Sequence, residues 1–318
     1  MKSVKINGGW AMAACAFGWS LAGLFMKYVT INSFAMAGFR SLFALITIMA
    51  FSRRVPRFVI RTNTDENKKT PVDRKRTLCL WLAALNYAIT MILFCLCNKL
   101  TYSANAVLLQ YTNPAWIIVL GPFILGEKSR KFDYVTIAGV AAGMLLFFAD
   151  NLFGTKSGEF SDTVVLGNIL ALVSGITFGL TTIFQRKQQM LAKQSGDETN
   201  ANTSSDAFMI AQIITAVFGL SFIFFKDNCI PDLQSLLFLL LLGIFQMGIP
   251  NIMYSIGIKK VPALSASLIT MLEPLMNPVW VLIFVHEIPS WSCILGGVMI
   301  LGFILLREIV SQKKDTGK

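Results

Sequence analysis

Three polar residues recur at helical spacing inside a strongly apolar stretch of the sequence: Thr270, Glu273 and Asn277. Their spacing of i, i+3 and i+7 places them on one face of a helix. Glu273 is the only acidic residue deep within an apolar run. Such a carboxylate can bind the ammonium group of a ligand, carry a proton or hold the bend at Pro274, and the sequence leaves these three roles open.

The positions 160 residues earlier are Gln110, Asn113 and Ile117, so a similar face occurs twice in the chain. Polar groups among apolar helices need partners or water, and two related polar faces therefore predict a shared central cavity. Hydrogen bonding between neighbouring helices is the alternative interpretation.

Arg40 is the basic residue that lies within an apolar run, about 9 Å from the predicted outer end of its helix. One interpretation is a clamp for an anion or carboxylate in an outer vestibule; a salt bridge or a snorkelling side chain is the other. An amino-acid-like ligand would suit both charges, with Glu273 facing the amine and Arg40 the carboxylate.

Asn86 and Gln246 are also 160 residues apart, and we expect them to line the cavity with Thr90 and Tyr254. Core amides that bond to neighbouring carbonyls are the alternative. Further candidates of lower rank are Trp19, Ser20, Thr181 and Gln185.

The sequence contains no pattern that predicts catalysis, a metal site or a cofactor. It has a single histidine, and Cys95 and Cys97 have neither zinc spacing nor histidine neighbours. Metalloprotease and phosphate-binding motifs are absent from the sequence. The net charge of +11 does not indicate nucleic acid, because the basic residues are spread between apolar blocks.

The elements that must position these residues are membrane-spanning helices. Hydrophobic residues make up 55% of the chain and charged residues 14%, and the mean hydropathy is +0.63. Apolar runs of about 20 residues match the thickness of the hydrocarbon core. The sequence predicts an all-α integral membrane protein with ten helices near 10–29, 34–52, 78–98, 102–126, 132–150, 164–187, 207–225, 234–257, 263–286 and 290–309.

Basic residues near the ends of the helices predict the orientation, because basic loops stay in the cytoplasm. With ten helices, 23 of the 28 lysines and arginines fall on the side of the N-terminus and four on the opposite side. Both termini and the basic loop 53–77 are therefore predicted to be cytoplasmic, and the loop is expected to attract anionic lipid heads of the bilayer. We expect a multi-pass protein of the bacterial cytoplasmic (inner) membrane.

An internal repeat divides the chain. A shift of 160 residues aligns 104–127 with 264–287, which predicts two repeats at 1–150 and 160–310, followed by a cytoplasmic tail at 311–318. Each repeat contains five helices, an odd number, so the second copy must be inverted in the bilayer. Two inverted halves of similar fold can exchange conformations, which provides inward-open and outward-open states of similar energy.

The sequence resembles the EamA-type ten-helix carriers of the drug/metabolite transporter superfamily across nearly its whole length. The residues that carry the resemblance are Ala104, Pro114, Gly126 and Glu127 in helix four, Ala266, Glu273, Pro274 and Glu287 in helix nine, and Phe39 and Arg40 in helix two. The resemblance implies secondary transport without ATP, often export, of amino acids, nucleobases or related metabolites.

We therefore expect a transporter, not an enzyme, that moves a small polar metabolite by alternating access, with export favoured over import. A coupling proton or cation is a further expectation. A membrane channel or a structural membrane protein is the alternative. The GxxxG spacings at 139–143 and 175–179 predict close helix packing, either within one chain or in a homodimer.

Overall fold

A computed structural model of the chain describes residues 7–26, 28–61, 72–101, 103–126, 130–147, 149, 162–194, 203–285 and 291–315. Glu127 and Glu287, near the ends of the aligned repeat segments, lie outside the described residues. So does the side chain of Asn277, which the sequence predicts to line the cavity.

Helices form nearly all of the regular structure in these ranges. They are α1 (Gly8–Trp19), α2 (Ala22–Met26), α3 (Ser33–Ser52), α4 (Arg74–Leu100), α5 (Ser103–Gln110), α6 (Asn113–Ile124), α7 (Lys131–Phe147), α8 (Asp162–Gln194), α9 (Thr203–Ser221), α10 (Leu233–Leu241), α11 (Ile249–Gly257), α12 (Ala263–Thr270), α13 (Leu272–Val285) and α14 (Trp291–Asp315). A short 3-10 helix, Phe222–Phe224, follows α9. A π-helical turn, Leu242–Gly248, joins α10 to α11.

Several helices begin at side chains that cap their first turn. Asn7, Asn32, Asp73 and Asp232 precede α1, α3, α4 and α10, and each accepts a hydrogen bond from a backbone N–H of the following helix. These bonds satisfy donors that the first turn of a helix leaves free.

Five helical segments of the described residues are long and apolar enough to cross a membrane. They are Ser33–Ser52, Arg74–Cys97, Thr163–Gln194, Thr203–Phe224 and Leu233–Gly257, and shorter apolar helices cover Asn113–Ile124, Ala263–Met276 and Ile294–Arg307. Every one of the ten predicted intervals is occupied by helix, but three of them are interrupted.

Two of the interruptions occur just before a proline. The predicted helix 102–126 is divided at Tyr111 and Thr112, ahead of Pro114, and the predicted helix 263–286 is divided at Met271, ahead of Pro274. Proline lacks a backbone N–H and crowds the preceding turn, so the regular hydrogen-bond ladder cannot continue. The two breaks lie 160 residues apart, at positions 111 and 271.

The third interruption divides the predicted helix 10–29 between α1 and α2. At this point the Ser20 hydroxyl donates to the Phe17 carbonyl at 2.7 Å and accepts from Trp280 Nε1 at 2.9 Å. A serine that bonds back to its own helix competes with the backbone ladder and bends the helix. Ser20, which the sequence predicts as a cavity residue, therefore anchors this bend against α13.

The helices pack in antiparallel pairs. α4 packs along α8, α3 along α9, α7 along α14, and α1 along α11. Small residues allow the closest approaches: a Cβ atom added at Gly38 would lie 2.7 Å from the backbone nitrogen of Leu220, and one added at Gly219 would lie 2.6 Å from the Gly38 nitrogen. The backbones of α3 and α9 are thus in direct contact.

The glycines of the 139–143 spacing pack against α14 of the same chain. A Cβ atom added at Gly139 would lie 2.3 Å from Phe303 Cζ, and one added at Gly143 would lie 2.9 Å from Ile300 Cγ1. This spacing serves helix packing within one chain. It therefore provides no argument for a homodimer, which stays a prediction.

Gly296→Ala should destabilise the contact between α7 and α14. The added methyl group would lie 2.4 Å from the backbone nitrogen of Phe147, so the two helices must separate, at a cost of about 1–3 kcal/mol. Gly302→Ala on the same helix is the matched control, because nothing lies within 4 Å of its Cβ position. Thermal unfolding in detergent should show a lower Tm for the first variant only; equal values would contradict the close contact.

One end of the bundle carries a cluster of charged residues, which we call the basic end. Arg54 forms an ion pair with Asp206, and Arg186 Nη1 donates to the Lys259 carbonyl at 3.3 Å. Burial, reinforced by the neighbouring charges of Arg54 and Lys260, lowers the pKa of Lys259 to about 8. This end connects segments that the predicted topology assigns to the cytoplasm.

Uncharged groups join the helices at the opposite end. The backbone nitrogen of Asn32 donates to the Asn228 carbonyl at 2.8 Å, and the Thr101 hydroxyl donates to Asn168 Oδ1 at 2.7 Å. Each of these contacts joins residues that the predicted topology places on the outer side.

Candidate functional site

The centre of the candidate site is a hydrogen bond between Tyr111 and Glu273. The Tyr111 hydroxyl donates to Glu273 Oε2 at 2.5 Å. Tyr111 lies in the break between α5 and α6, and Glu273 lies in the first turn of α13, directly after the break that follows α12. The two breaks that precede Pro114 and Pro274 therefore lie next to each other in the fold.

Arg40 contributes a second charge to the interior. Its side chain is 2% exposed. Among the described residues, none of the hydrogen bonds or ion pairs involves this guanidinium, and its Nε atom is buried without a partner. The snorkelling alternative does not agree with this burial, since α3 packs against α9 and the π-helical turn.

Aromatic side chains form a cluster between α1, α4, α8, α9 and α11. Trp19 stacks on Tyr254 with ring centroids 5.7 Å apart, and it also contacts Phe178 at 5.8 Å. Phe208 lies edge-on to Tyr254 at 5.4 Å and to Tyr87 at 4.7 Å. Because every member is buried, this aromatic cluster forms an apolar wall beside the polar groups.

The hydroxyl groups of the two tyrosines are bonded to polar partners on other helices. Tyr254 and Thr182 share a hydrogen bond of 2.7 Å, and the Tyr87 hydroxyl donates to Asn251 Oδ1 at 3.2 Å. These bonds orient the rings, since a buried hydroxyl without a partner is costly.

The remaining predicted residues fall into two groups. Gln110, Asn113 and Gln246 are buried, and within the described part of the chain both polar side-chain atoms of Asn113 and the Oε1 atom of Gln246 lack partners. By contrast, the Thr270 hydroxyl donates to the Ser267 carbonyl at 2.8 Å, and Asn86 Nδ2 donates to the Leu82 carbonyl at 2.8 Å. Asn86 thus bonds to a carbonyl of its own helix, as in the alternative interpretation of the core amides, whereas Thr270 bonds within α12 and not to a neighbouring helix.

Sequence reasoning missed Tyr111, although it lies next to Gln110 and at the position aligned with the break at Met271. The contact partners of the tyrosines, Thr182 and Asn251, were also missed. A signal was available only for Tyr111, from its place before the proline; the others depend on which helices lie side by side.

The sequence matches the model of a known protein family. The model of the EamA-like transporter family matches residues 6–149 and again residues 165–307. The chain belongs to the EamA-like transporter family. Members of this family are membrane transporters, not enzymes, so the polar interior described above lies in a multi-pass membrane protein.

Two bacterial relatives have names that agree with this EamA-like assignment. An "Uncharacterized transporter" of Clostridium kluyveri is 24% identical over 234 residues, which cover 74% of this chain and 70% of the relative. The "Uncharacterized transporter YoaV" of Bacillus subtilis is 24% identical over 218 residues, which cover 67% of this chain and 68% of the relative.

The EamA-like fold is also found in a solved crystal structure. It superposes with a TM-score of 0.73 over 96% of this chain and 98% of its own length, at 16% sequence identity. At that identity the similarity shows the fold alone.

Proposed function

We propose that this protein carries a small polar metabolite across the membrane by alternating access and without ATP. The observation that carries the proposal is the Tyr111–Glu273 hydrogen bond, because it places a carboxylate between two broken helices in the interior of a transporter-family protein. Discontinuous helices at such a place expose backbone and side-chain groups that can bind a substrate.

The architecture that we propose is ten transmembrane helices in two inverted repeats, 1–150 and 160–310, followed by the tail 311–318. Three observations support it. One family model matches the chain twice. The two proline-associated breaks are 160 residues apart. Finally, a shift of 160 residues relates α1 to α8 and α4 to α11, and α1 packs along α11 as α8 packs along α4.

We propose that the protein lies in the cytoplasmic membrane of a bacterium, with both termini in the cytoplasm. The basic residues support this orientation, since 23 of 28 then fall on the cytoplasmic side. Contacts within the bundle agree, because the basic end joins predicted inner segments and the opposite end joins predicted outer ones.

The charges of the interior suit an amino-acid-like substrate, with export favoured over import. Glu273 can face an ammonium group and Arg40 a carboxylate, and the aromatic cluster can cover the apolar part of the same molecule. A nucleobase-like compound is the second substrate class to test. A proton is the proposed coupling ion, and Glu273 is its proposed carrier.

Counterflow in proteoliposomes tests the transport mechanism. Vesicles loaded with an unlabelled substrate should accumulate the labelled substrate above its external concentration, because a carrier exchanges one molecule for another. The substrate is found beforehand by uptake assays with labelled amino acids, nucleobases and amines. A channel would only equilibrate the label, and a structural protein would admit none; either result would overturn the proposal.

A further inference from the structure

One face of the first half of α4, which we call the α4 face, is exposed at the surface of the bundle. Arg74, Leu78, Trp81 and Leu85 form it, because their spacing of i, i+4, i+7 and i+11 places them within a narrow arc of a helix. Leu78 and Trp81 are 60% and 41% exposed, whereas Ala83, on the opposite side of the helix, is buried. The α4 face therefore begins with a positive charge and continues with apolar side chains.

The length of the α4 face matches one leaflet of a bilayer. At 1.5 Å per residue, Leu85 lies about 16 Å beyond Arg74 along the helix axis. Half of the hydrocarbon core is about 15 Å thick. Because Arg74–Cys97 is long and apolar enough to cross a membrane, this spacing places Arg74 at the level of the lipid headgroups and the apolar residues beside the acyl chains.

The segment that precedes α4 is fixed against the same face. Trp81 Nε1 donates to the Phe58 carbonyl at 2.9 Å, and the two rings are stacked with centroids 6.1 Å apart. The backbone nitrogen of Ile60 donates to Thr77 Oγ1 at 3.0 Å, and the backbone nitrogen of Asp73 donates to the Ile60 carbonyl at 2.9 Å. Phe58, which is also exposed, thus extends the apolar part of the α4 face.

Basic residues gather at the headgroup end of the α4 face. An antiparallel bridge pairs Arg61 with Val72, two residues before Arg74, so both arginines lie at the N-terminal end of α4. Asp73 caps α4 by accepting from the Arg76 nitrogen at 3.0 Å. Like charges that lie close together repel one another, and an anionic ligand removes this cost. In the described parts of the segment 53–76, the exposed basic residues are Arg53, Arg57, Arg61, Arg74 and Lys75.

We infer that the α4 face and the segment 57–61 form a binding site for an anionic phospholipid in the leaflet next to the basic end. The headgroup phosphate binds at Arg74 and its basic neighbours, and an acyl chain lies along the apolar residues beside the Phe58–Trp81 pair. Charge complementarity selects an anionic headgroup, and the apolar residues require an acyl chain, which favours a lipid over a soluble anion.

The site differs from the general attraction between the basic loop and anionic lipid heads that the sequence predicts. It is a single place with contacts to both the headgroup and the acyl chain. The inference goes beyond the proposed function and does not depend on the mechanism of transport.

Fluorescence quenching by brominated lipids tests the site, because Trp81 belongs to it. The purified full chain is reconstituted in phosphatidylcholine vesicles that contain the same minor fraction of either brominated phosphatidylglycerol or brominated phosphatidylcholine. The difference between the wild type and Trp81→Phe gives the signal of Trp81. Brominated phosphatidylglycerol should quench this signal more strongly, and unlabelled phosphatidylglycerol should relieve the quenching. Arg74→Gln should weaken the apparent affinity for phosphatidylglycerol by about 5-fold, since one basic residue near an anionic membrane surface contributes about that factor.

Trp291 is the matched reporter and Lys226→Gln the matched variant, because both residues are exposed and lie at the end that the predicted topology places opposite to the basic end. The two brominated lipids should quench Trp291 equally, and Lys226→Gln should leave the quenching of Trp81 unchanged. If Arg74→Gln does not fold, Lys75→Gln decides the question.

Equal quenching of Trp81 by the two brominated lipids, or an affinity that neither Arg74→Gln nor Lys75→Gln lowers, would overturn the site. Glycerol phosphate and an acidic peptide serve as competitors that carry negative charge without an acyl chain. Neither should relieve the quenching as well as phosphatidylglycerol does. Equal relief by glycerol phosphate would show that a soluble anion suffices, and equal relief by the peptide would assign the surface to an acidic protein segment; both results would contradict the lipid site.

Discussion

Glu273→Gln is expected to abolish transport driven by a pH gradient while substrate exchange continues. The glutamine has the shape of a protonated glutamate, and its carbonyl can still accept the hydrogen bond that Tyr111 donates at 2.5 Å in the wild type. The substitution removes the ability to gain and lose a proton and, with it, the negative charge of the ionised carboxylate. Uptake into proteoliposomes with and without a pH gradient, compared with counterflow at symmetrical pH, measures the two activities separately.

The same variant separates the three roles that the sequence left open for Glu273. If the carboxylate binds the ammonium group of the substrate, counterflow also falls, and KM rises by about 10- to 100-fold. If it mainly holds the bend at Pro274, Tm falls and transport falls with it. Proton-dependent uptake that is unchanged at normal expression would exclude the coupling role.

Tyr111→Phe is the matched control for the hydrogen bond itself. The ring and its packing are kept, the donor to Glu273 is removed, and the carboxyl group can still titrate. Proton-driven uptake should therefore persist in this variant, with an altered rate. A complete loss of coupling in Tyr111→Phe would show that the hydrogen bond, and not the titration of Glu273, is the essential element.

The positions of the helices were predictable because their cause is local. A run of about 20 apolar residues requires a helix in a bilayer, whatever surrounds it, since the backbone must satisfy its own hydrogen bonds. The interruptions before Pro114 and Pro274 follow from the same local chemistry. The division of the first predicted helix at Ser20 was not predictable, because it depends on a contact with Trp280, 260 residues away.

The candidate site was predictable only in part. Glu273 stands out by type, since a carboxylate in an apolar run is unusual wherever its neighbours lie. Its partner Tyr111 is 162 residues away: its place before Pro114 marks a break in the helix, but only the fold shows that this break lies beside Glu273. The burial of Arg40 also depends on tertiary packing. Its place near a helix end is compatible with snorkelling, but α3 packs against α9 and the π-helical turn, and the side chain is buried.

Asn86 and Thr270 show a further limit of helical periodicity. A periodic pattern predicts which face a polar residue occupies, but a side chain on that face can still bond to a carbonyl three or four residues earlier. Both residues do so. Asn113 and Gln246 instead have side-chain atoms without a partner among the residues that the structure describes. The difference comes from side-chain conformation, which composition and spacing do not determine.

Asp133→Asn should cause a large loss of stability. Asp133 Oδ1 accepts from Arg307 Nε at 3.2 Å, and the guanidinium also bonds to the Ser265 hydroxyl, so the pair links α7, α14 and α12. Both residues of the pair are 7% exposed. Removing one charge of a buried pair leaves the other desolvated without its counter-ion, at a cost of about 3–5 kcal/mol.

Unfolding of the purified protein, followed by circular dichroism, measures this effect. The double variant Asp133→Asn with Arg307→Met should recover part of the lost stability, because neither charge then remains buried. Asp232→Asn is the control: the carboxylate is exposed, and asparagine caps a helix as well as aspartate does. A double variant less stable than Asp133→Asn alone would show that Arg307 stabilises this end of the bundle through other contacts, and the ion pair would no longer explain the result.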